Sequence, residues 1–153
     1  MENVHYYNIN VRWDEGRTGT LSAESLPDIK VATPPEFPKG VPGIWSPEHL
    51  FVSSVAICLM TTFVAIAENS SLPFSSFSCS AEGKLEKVDG NFMISEIKLK
   101  PEIVVPEEKY LEKAGRIIEK SDKICLISNS VKTKIILNPE IKTADLVRST
   151  GNG

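Results

Sequence analysis

Three cysteines, Cys58, Cys79 and Cys125, are the residues of this chain with the most chemistry to offer. A thiolate attacks electrophiles, exchanges with disulfides and climbs an oxidation ladder, whereas a protonated thiol behaves as a small apolar side chain. Cys58 lies in Val55-Ala56-Ile57-Cys58-Leu59-Met60. Burial among aliphatics raises a thiol pKa, so Cys58 is either a core residue or a nucleophile with a cation nearby. Cys125 follows Ser121-Asp122. With Asp122 as an N-cap it becomes the third residue of a helix, where free N–H groups and the dipole favour a thiolate. Its neighbours Ile124, Leu126 and Ile127 suit a core position equally well.

The remaining polar candidates have plain structural readings beside the chemical ones. Arg17 sits in Asp14-Glu15-Gly16-Arg17-Thr18-Gly19 as a turn residue or a placed cation. Glu48 falls where a helix begins, and a carboxylate there suits the dipole in any case. His49 reads as a helix-surface residue and Cys79 as a strand residue facing the core. An odd number of widely spaced cysteines is not a disulfide framework. With no CxxC, no HxxxH and only His5 and His49, a metal site is not expected.

The elements that must position these residues follow from periodicity and turn chemistry. Tyr7–Trp13 and Thr20–Ala23 read as a hairpin across the 14–19 turn, with a third strand at Ile29–Val31. Residues 34–47 hold five of the ten prolines and form a long irregular loop. Ser46 offers an N-cap and Pro47 a first helical position, so a helix is expected from Pro47 to Asn69. Strands over Phe77–Val88 and Phe92–Val105 meet at Asp89-Gly90-Asn91, a hairpin signal. Helices are expected over Pro106–Lys120 and Lys123–Ser130, then a strand over Val131–Leu137. The fold class is α+β, a single domain over 1–141 with a flexible C-terminal tail over 142–153.

Leu50–Ala67 is 18 residues without a charge, at the lower edge for a membrane span. Its hydroxyls, and the lack of Lys or Arg anchors, favour a buried central helix instead. That helix is apolar nearly all round and one sheet covers one side of it. A symmetric second subunit is the economical cover, so a homodimer is expected. The net charge of −3 gives no footprint for nucleic acid or an anionic membrane. Met1-Glu2-Asn3-Val4-His5 opens no secretory signal, which points to a cytoplasmic protein.

Taken as a set, Glu15-Gly16-Arg17-Thr18-Gly19, Ser46-Pro47-Glu48-His49-Leu50-Phe51, the Cys58 helix, Lys87-Val88-Asp89-Gly90 and Cys125-Leu126-Ile127-Ser128 resemble the OsmC/Ohr family of osmotically induced and organic-hydroperoxide-resistance proteins. The similarity runs from about residue 7 to 140. It implies antiparallel sheets around the long central helix, in an intertwined homodimer. It also implies a thiol-dependent peroxidase that reduces organic hydroperoxides through a Cys58–Cys125 dithiol/disulfide cycle. By that resemblance Cys58 attacks the peroxide and Cys125 resolves the product, while Arg17 holds the thiolate and Glu48 orients Arg17. No cofactor is implied, and an external dithiol or a lipoylated protein is the reductant. Two departures stand out. Family members usually have proline directly after the second cysteine, where this chain has Leu126, and Ile44-Trp45-Ser46 replaces smaller residues before the helix.

Glu48 and Cys58 are ten residues apart, about 15 Å along one continuous helix, so a site containing both would need two chains. Trp45, Phe51, Leu59, Phe63 and Ile127 are candidate walls for an alkyl tail. Two other functions fit the same residues: a non-catalytic dimer binding a hydrophobic ligand, and a redox sensor signalling through the disulfide.

Overall fold

The chain turns back on itself where residues that tolerate positive φ separate two strand-like runs. The computed structural model describes residues 3–144. In it β1 (Asn10–Glu15) meets β2 (Thr18–Ala23) through Gly16-Arg17, with Gly16 at φ 52°. β3 (Leu26–Ala32) completes an antiparallel sheet of order β1-β2-β3. Asp14 ties the sheet across its width, accepting hydrogen bonds from Thr20 Oγ1 at 2.6 Å and Lys30 Nζ at 2.9 Å. Those donors pull the Asp14 carboxyl down to about 2.

After the proline loop, the Ala32 N–H donates to the Trp45 carbonyl at 2.9 Å. The helix α1 (Pro47–Asn69) then begins where its start signals predict. Ser46 is buried, and its Oγ accepts the His49 N–H at 3.1 Å and meets His49 Nδ1 at 2.6 Å. Ser46 is thus the N-cap, its hydroxyl engaged by both the backbone and the ring of His49.

The described residues form two compact units that divide between Phe51 and Val52. The second unit holds most of α1 and two long strands, β4 (Ser76–Val88) and β5 (Asn91–Val105). Asp89 and Gly90 join them at φ 51° and 83°, the paired positive values a two-residue hairpin turn needs. A 3-10 turn (Glu108–Tyr110) leads into α2 (Leu111–Ile124), followed by the single turn α3 (Leu126–Asn129) and the strands β6 (Lys134–Leu137) and β7 (Glu140–Thr143).

Three features differ from the sequence reading. The sheets are not antiparallel throughout, because β6 and β7 both run parallel to β5. A helical crossover of this length permits that pairing. The two segments keep one register on β5, with Leu137 opposite Leu99 and Glu140 opposite Glu102. Pro139 therefore falls opposite Pro101, where neither can donate, and the strand is broken there. Second, β7 takes in Lys142 and Thr143, which the sequence assigns to the tail; 145–153 lie outside the described residues. Third, α2 runs through Asp122 to Ile124, and the helix break comes at Cys125.

The core of the second unit is built by Val55, Leu59, Phe63 and Ala67 of α1, Ile97, Leu99, Ile103 and Val105 of β5, and Ala114, Ile117 and Ile118 of α2. Phe63 stacks near Phe74 and Phe77, with ring centroids 5.3 and 5.1 Å away. Among the described residues α1 is the one helix long and apolar enough to cross a membrane. Only one face of it is covered. Ile57 is 55% exposed, and Met60 and Val64 beside it are also open, so the central helix is half-buried within one chain.

Candidate active site: two cysteines in contact

α1 brings Cys58 to the place where α2 ends, and there its side chain meets that of Cys125. Both thiols are free and buried, Cys58 8% exposed and Cys125 fully enclosed. Cys125 is not a helical residue, as the sequence reading has it. At φ −60° and ψ 115° it is an extended link between α2 and α3, so no Asp122 cap precedes it. Its side chain can therefore swing out of the helical path toward α1. Cys79 stays apart on β4, its Sγ donating to the Ser80 carbonyl at 3.5 Å. Burial pushes the Cys79 thiol up.

The two sulfurs are driven in opposite directions. Burial works against a Cys58 thiolate, but hydrogen bonds outweigh it: the Cys125 thiol first, then the Ile127 N–H, the Thr62 hydroxyl and the Leu126 N–H. The net direction for Cys58 is downward. Thr62 Oγ1 lies 3.9 Å from the sulfur, one helical turn on. Cys125 is pushed up, chiefly by burial and then by the neighbouring Cys58 sulfur, which accepts its proton. The Ser128 N–H opposes this. The two sulfurs titrate as a linked pair, with the surroundings of Cys58 favouring its thiolate and those of Cys125 its thiol. This reverses the expectation that Cys125 is the better-placed thiolate. The groups that lower Cys58 are neutral donors.

The two charged candidates lie in the first unit. Arg17 stands exposed at the β1–β2 turn and pairs with no carboxylate among the described residues; its carbonyl accepts the Thr33 N–H at 3.2 Å. Glu48 is on the first turn of α1, with Oε2 buried and lacking a hydrogen-bond partner. A buried carboxylate oxygen without a donor is costly. No ion pair joins Arg17 and Glu48 among the described residues. Of the expected pocket walls, Leu59 and Phe63 are fully buried core residues, while Trp45 is exposed.

Residue-type reasoning missed Thr62 and the two backbone donors. Thr62 was within reach of sequence, since a hydroxyl four residues after a helical cysteine faces the same side. The amides of Leu126 and Ile127 leave no trace in residue type.

A family model for OsmC-like proteins matches residues 40–140. The chain belongs to the OsmC-like family. Among curated relatives, Peroxiredoxin OsmC of Escherichia coli (strain K12) is 30% identical over 98 residues, spanning 64% of this chain and 68% of the relative. Among solved structures, an OsmC-like protein of unknown function from Vibrio cholerae superposes with a TM-score of 0.82 at 22% identity, covering 89% of this chain and 99% of that one. An organic hydroperoxide resistance protein from Elizabethkingia anophelis gives 0.71 at 20% identity, covering 91% and 98%. These structural matches establish the OsmC-like fold.

Proposed function

We propose that this OsmC-like protein is a thiol peroxidase reducing organic hydroperoxides, with Cys58 as nucleophile and Cys125 as resolving thiol. The observation that carries the reading is the contact of two free, buried thiols whose acidities are displaced in opposite directions. The names of the Escherichia coli and Elizabethkingia relatives agree with it.

In the first step the Cys58 thiolate attacks the outer oxygen of ROOH; the S–O bond forms as O–O breaks. The alkoxide leaves with a proton as ROH and Cys58 becomes a sulfenic acid. In the second step the Cys125 sulfur attacks that sulfenic sulfur, releasing water and closing the disulfide. An external dithiol, free or on a lipoylated protein, then takes the oxidising equivalents by exchange and restores both thiols. Because Cys125 already touches Cys58, the sulfenic acid has a partner before a second peroxide arrives. Apolar Ile57, Ile124 and Leu126 flank the two cysteines in sequence and are exposed, which favours an alkyl peroxide over hydrogen peroxide.

The site is completed in a homodimer. The open face of α1 at Ile57, Met60 and Val64 asks for a second apolar layer. The unpartnered Glu48 Oε2 asks for a donor, and Arg17 is exposed with no carboxylate paired to it among the described residues. Arg17 held by Glu48 would stabilise charge on the departing oxygen. A reducing compartment such as the cytoplasm would keep the pair ready.

The test is consumption of an organic hydroperoxide with a dithiol present. The wild-type protein should turn over, Cys58→Ser should not, and Cys125→Ser should oxidise once and stop with Cys58 as sulfenic or higher acids. Mixing Cys58→Ser with Arg17→Ala or Glu48→Ala subunits should restore activity if sites are shared between chains. No consumption by a fully reduced, folded protein would overturn the reading. Oxidation to the disulfide without turnover would mark a sensor, and neither would leave a ligand-binding dimer.

A further inference from the structure

Thr61 and Thr62 stand side by side on α1, one helical turn beyond Cys58, and their hydroxyls are used differently. A helical threonine ordinarily turns its hydroxyl back to the carbonyl three or four residues earlier. Thr61 does so, its Oγ1 donating to the Cys58 carbonyl at 3.2 Å. Thr62 has that same carbonyl four residues behind it, yet its Oγ1 lies 3.9 Å from the Cys58 sulfur. Among the described residues that sulfur is the hydrogen-bond partner of the Thr62 hydroxyl. Thr62 is half-buried, and its neighbours one turn either way, Cys58, Leu59, Ala65 and Ile66, carry no oxygen or nitrogen on their side chains. Valine has the same branching and a similar helix propensity, so neither backbone nor packing asks for a hydroxyl here.

The spacing suits an oxygen better than it suits the sulfur. A hydroxyl-to-oxygen hydrogen bond closes at about 2.7 Å. The 3.9 Å between Thr62 Oγ1 and the sulfur therefore leaves room for one oxygen bonded to Cys58 within reach of Thr62. The sulfenic acid of the peroxide step carries such an oxygen.

We propose that the Thr62 hydroxyl is a catalytic donor in the second half of the cycle, holding the oxygen that Cys58 takes from a peroxide and stabilising it as it leaves. The Cys125 sulfur attacks the Cys58 sulfur, and the S–S bond forms as the S–O bond breaks. The electron pair of the S–O bond goes to the oxygen, and the Cys125 thiol proton joins it, so the OH leaves as water. Thr62 donates to that oxygen as its charge grows and is unchanged at the end. The inference rests on Cys58 and Cys125 acting as nucleophile and resolving thiol.

The experiment gives each reduced protein a pulse of hydrogen peroxide in the presence of dimedone, which captures sulfenic acid in competition with Cys125. Mass spectrometry reads the ratio of dimedone-trapped Cys58 to Cys58–Cys125 disulfide, a ratio that does not depend on how fast the sulfenic acid forms. Thr62→Val should raise it by about tenfold, as loss of a donor to a developing negative oxygen requires. Thr62→Ser keeps the hydroxyl and should stay near wild type. If the valine variant folds, by circular dichroism and Tm, and partitions as wild type does, the proposal fails. It fails equally if serine moves the ratio as far as valine. Should the valine variant not fold, Thr62→Ala removes the same hydroxyl, and an unchanged ratio there also overturns the proposal. A wild-type protein that closes the disulfide but does not turn over organic hydroperoxides would discard the peroxidase reading and leave a raised valine ratio standing for Thr62. Neither adduct nor disulfide in wild type would overturn both.

Discussion

Replacing Cys125 by alanine tests the coupling of the two thiols most directly. Of the groups that favour the Cys58 thiolate, the Cys125 thiol contributes most. A hydrogen bond to a charged group is worth about 1.5–3 kcal/mol, and a thiol is a weak donor, so about 1.5 kcal/mol is the fitting end. At about 1.4 kcal/mol per decade, Cys125→Ala should lower the thiolate-to-thiol ratio of Cys58 about tenfold below its titration range. Cys125→Ser returns a hydroxyl donor and should lie within a few-fold of wild type. Because Cys125 is fully enclosed, the alanine variant also leaves a small void costing about 1 kcal/mol of stability. Tm must therefore be measured alongside. The assay is site-resolved alkylation of Cys58 across pH, together with the rate of its first oxidation by an organic hydroperoxide. The reasoning is refuted if Cys125→Ala folds and Cys58 keeps its wild-type profile. That result would mean the thiols do not exchange a hydrogen bond in solution.

Other consequences are open to simple measurement. The Thr20 and Lys30 donors pull the Asp14 carboxyl from its ordinary 3.8 down to about 2, so its stabilising effect is present above 3.8 and is lost as pH falls through about 2. Asp14→Asn should flatten the acid limb of a stability–pH curve in that window, and an unchanged limb would count against the Thr20 and Lys30 bonds. At Gly83 an added Cβ would meet Val52 Cγ2 at 2.5 Å, so Gly83→Ala should cost about 1–3 kcal/mol in denaturant unfolding. Adding Val52→Ala should recover part of that loss, and no recovery would place the strain elsewhere. Ile57→Glu puts a charge on the open face of α1. For the proposed homodimer, sedimentation should show a shift from dimer to monomer with helical content kept, and an unshifted dimer would mean the subunits meet through another surface.

The helix over Pro47–Asn69 was legible to the residue, because Ser46, Pro47 and the 18 uncharged positions are local signals. The Asp89-Gly90 hairpin was equally legible, since a two-residue turn demands positive φ and few residue types accept it. The cysteines could be named as the chemical candidates from residue type alone. Their pairing came only with the family resemblance, because nothing in spacing brings residue 58 to residue 125. Tertiary structure decided three things. It set the direction of β6 and β7, which alternation cannot express since parallel and antiparallel strands share one period. It placed the helix break at Cys125, although Ser121-Asp122 looks like a start signal; the local propensity there is weak and the buried contact with Cys58 outweighs it. And it gave the two thiols surroundings that push them in opposite directions. A backbone N–H is the same in every residue but proline, so amides that favour a Cys58 thiolate become visible only when the chain is folded around it.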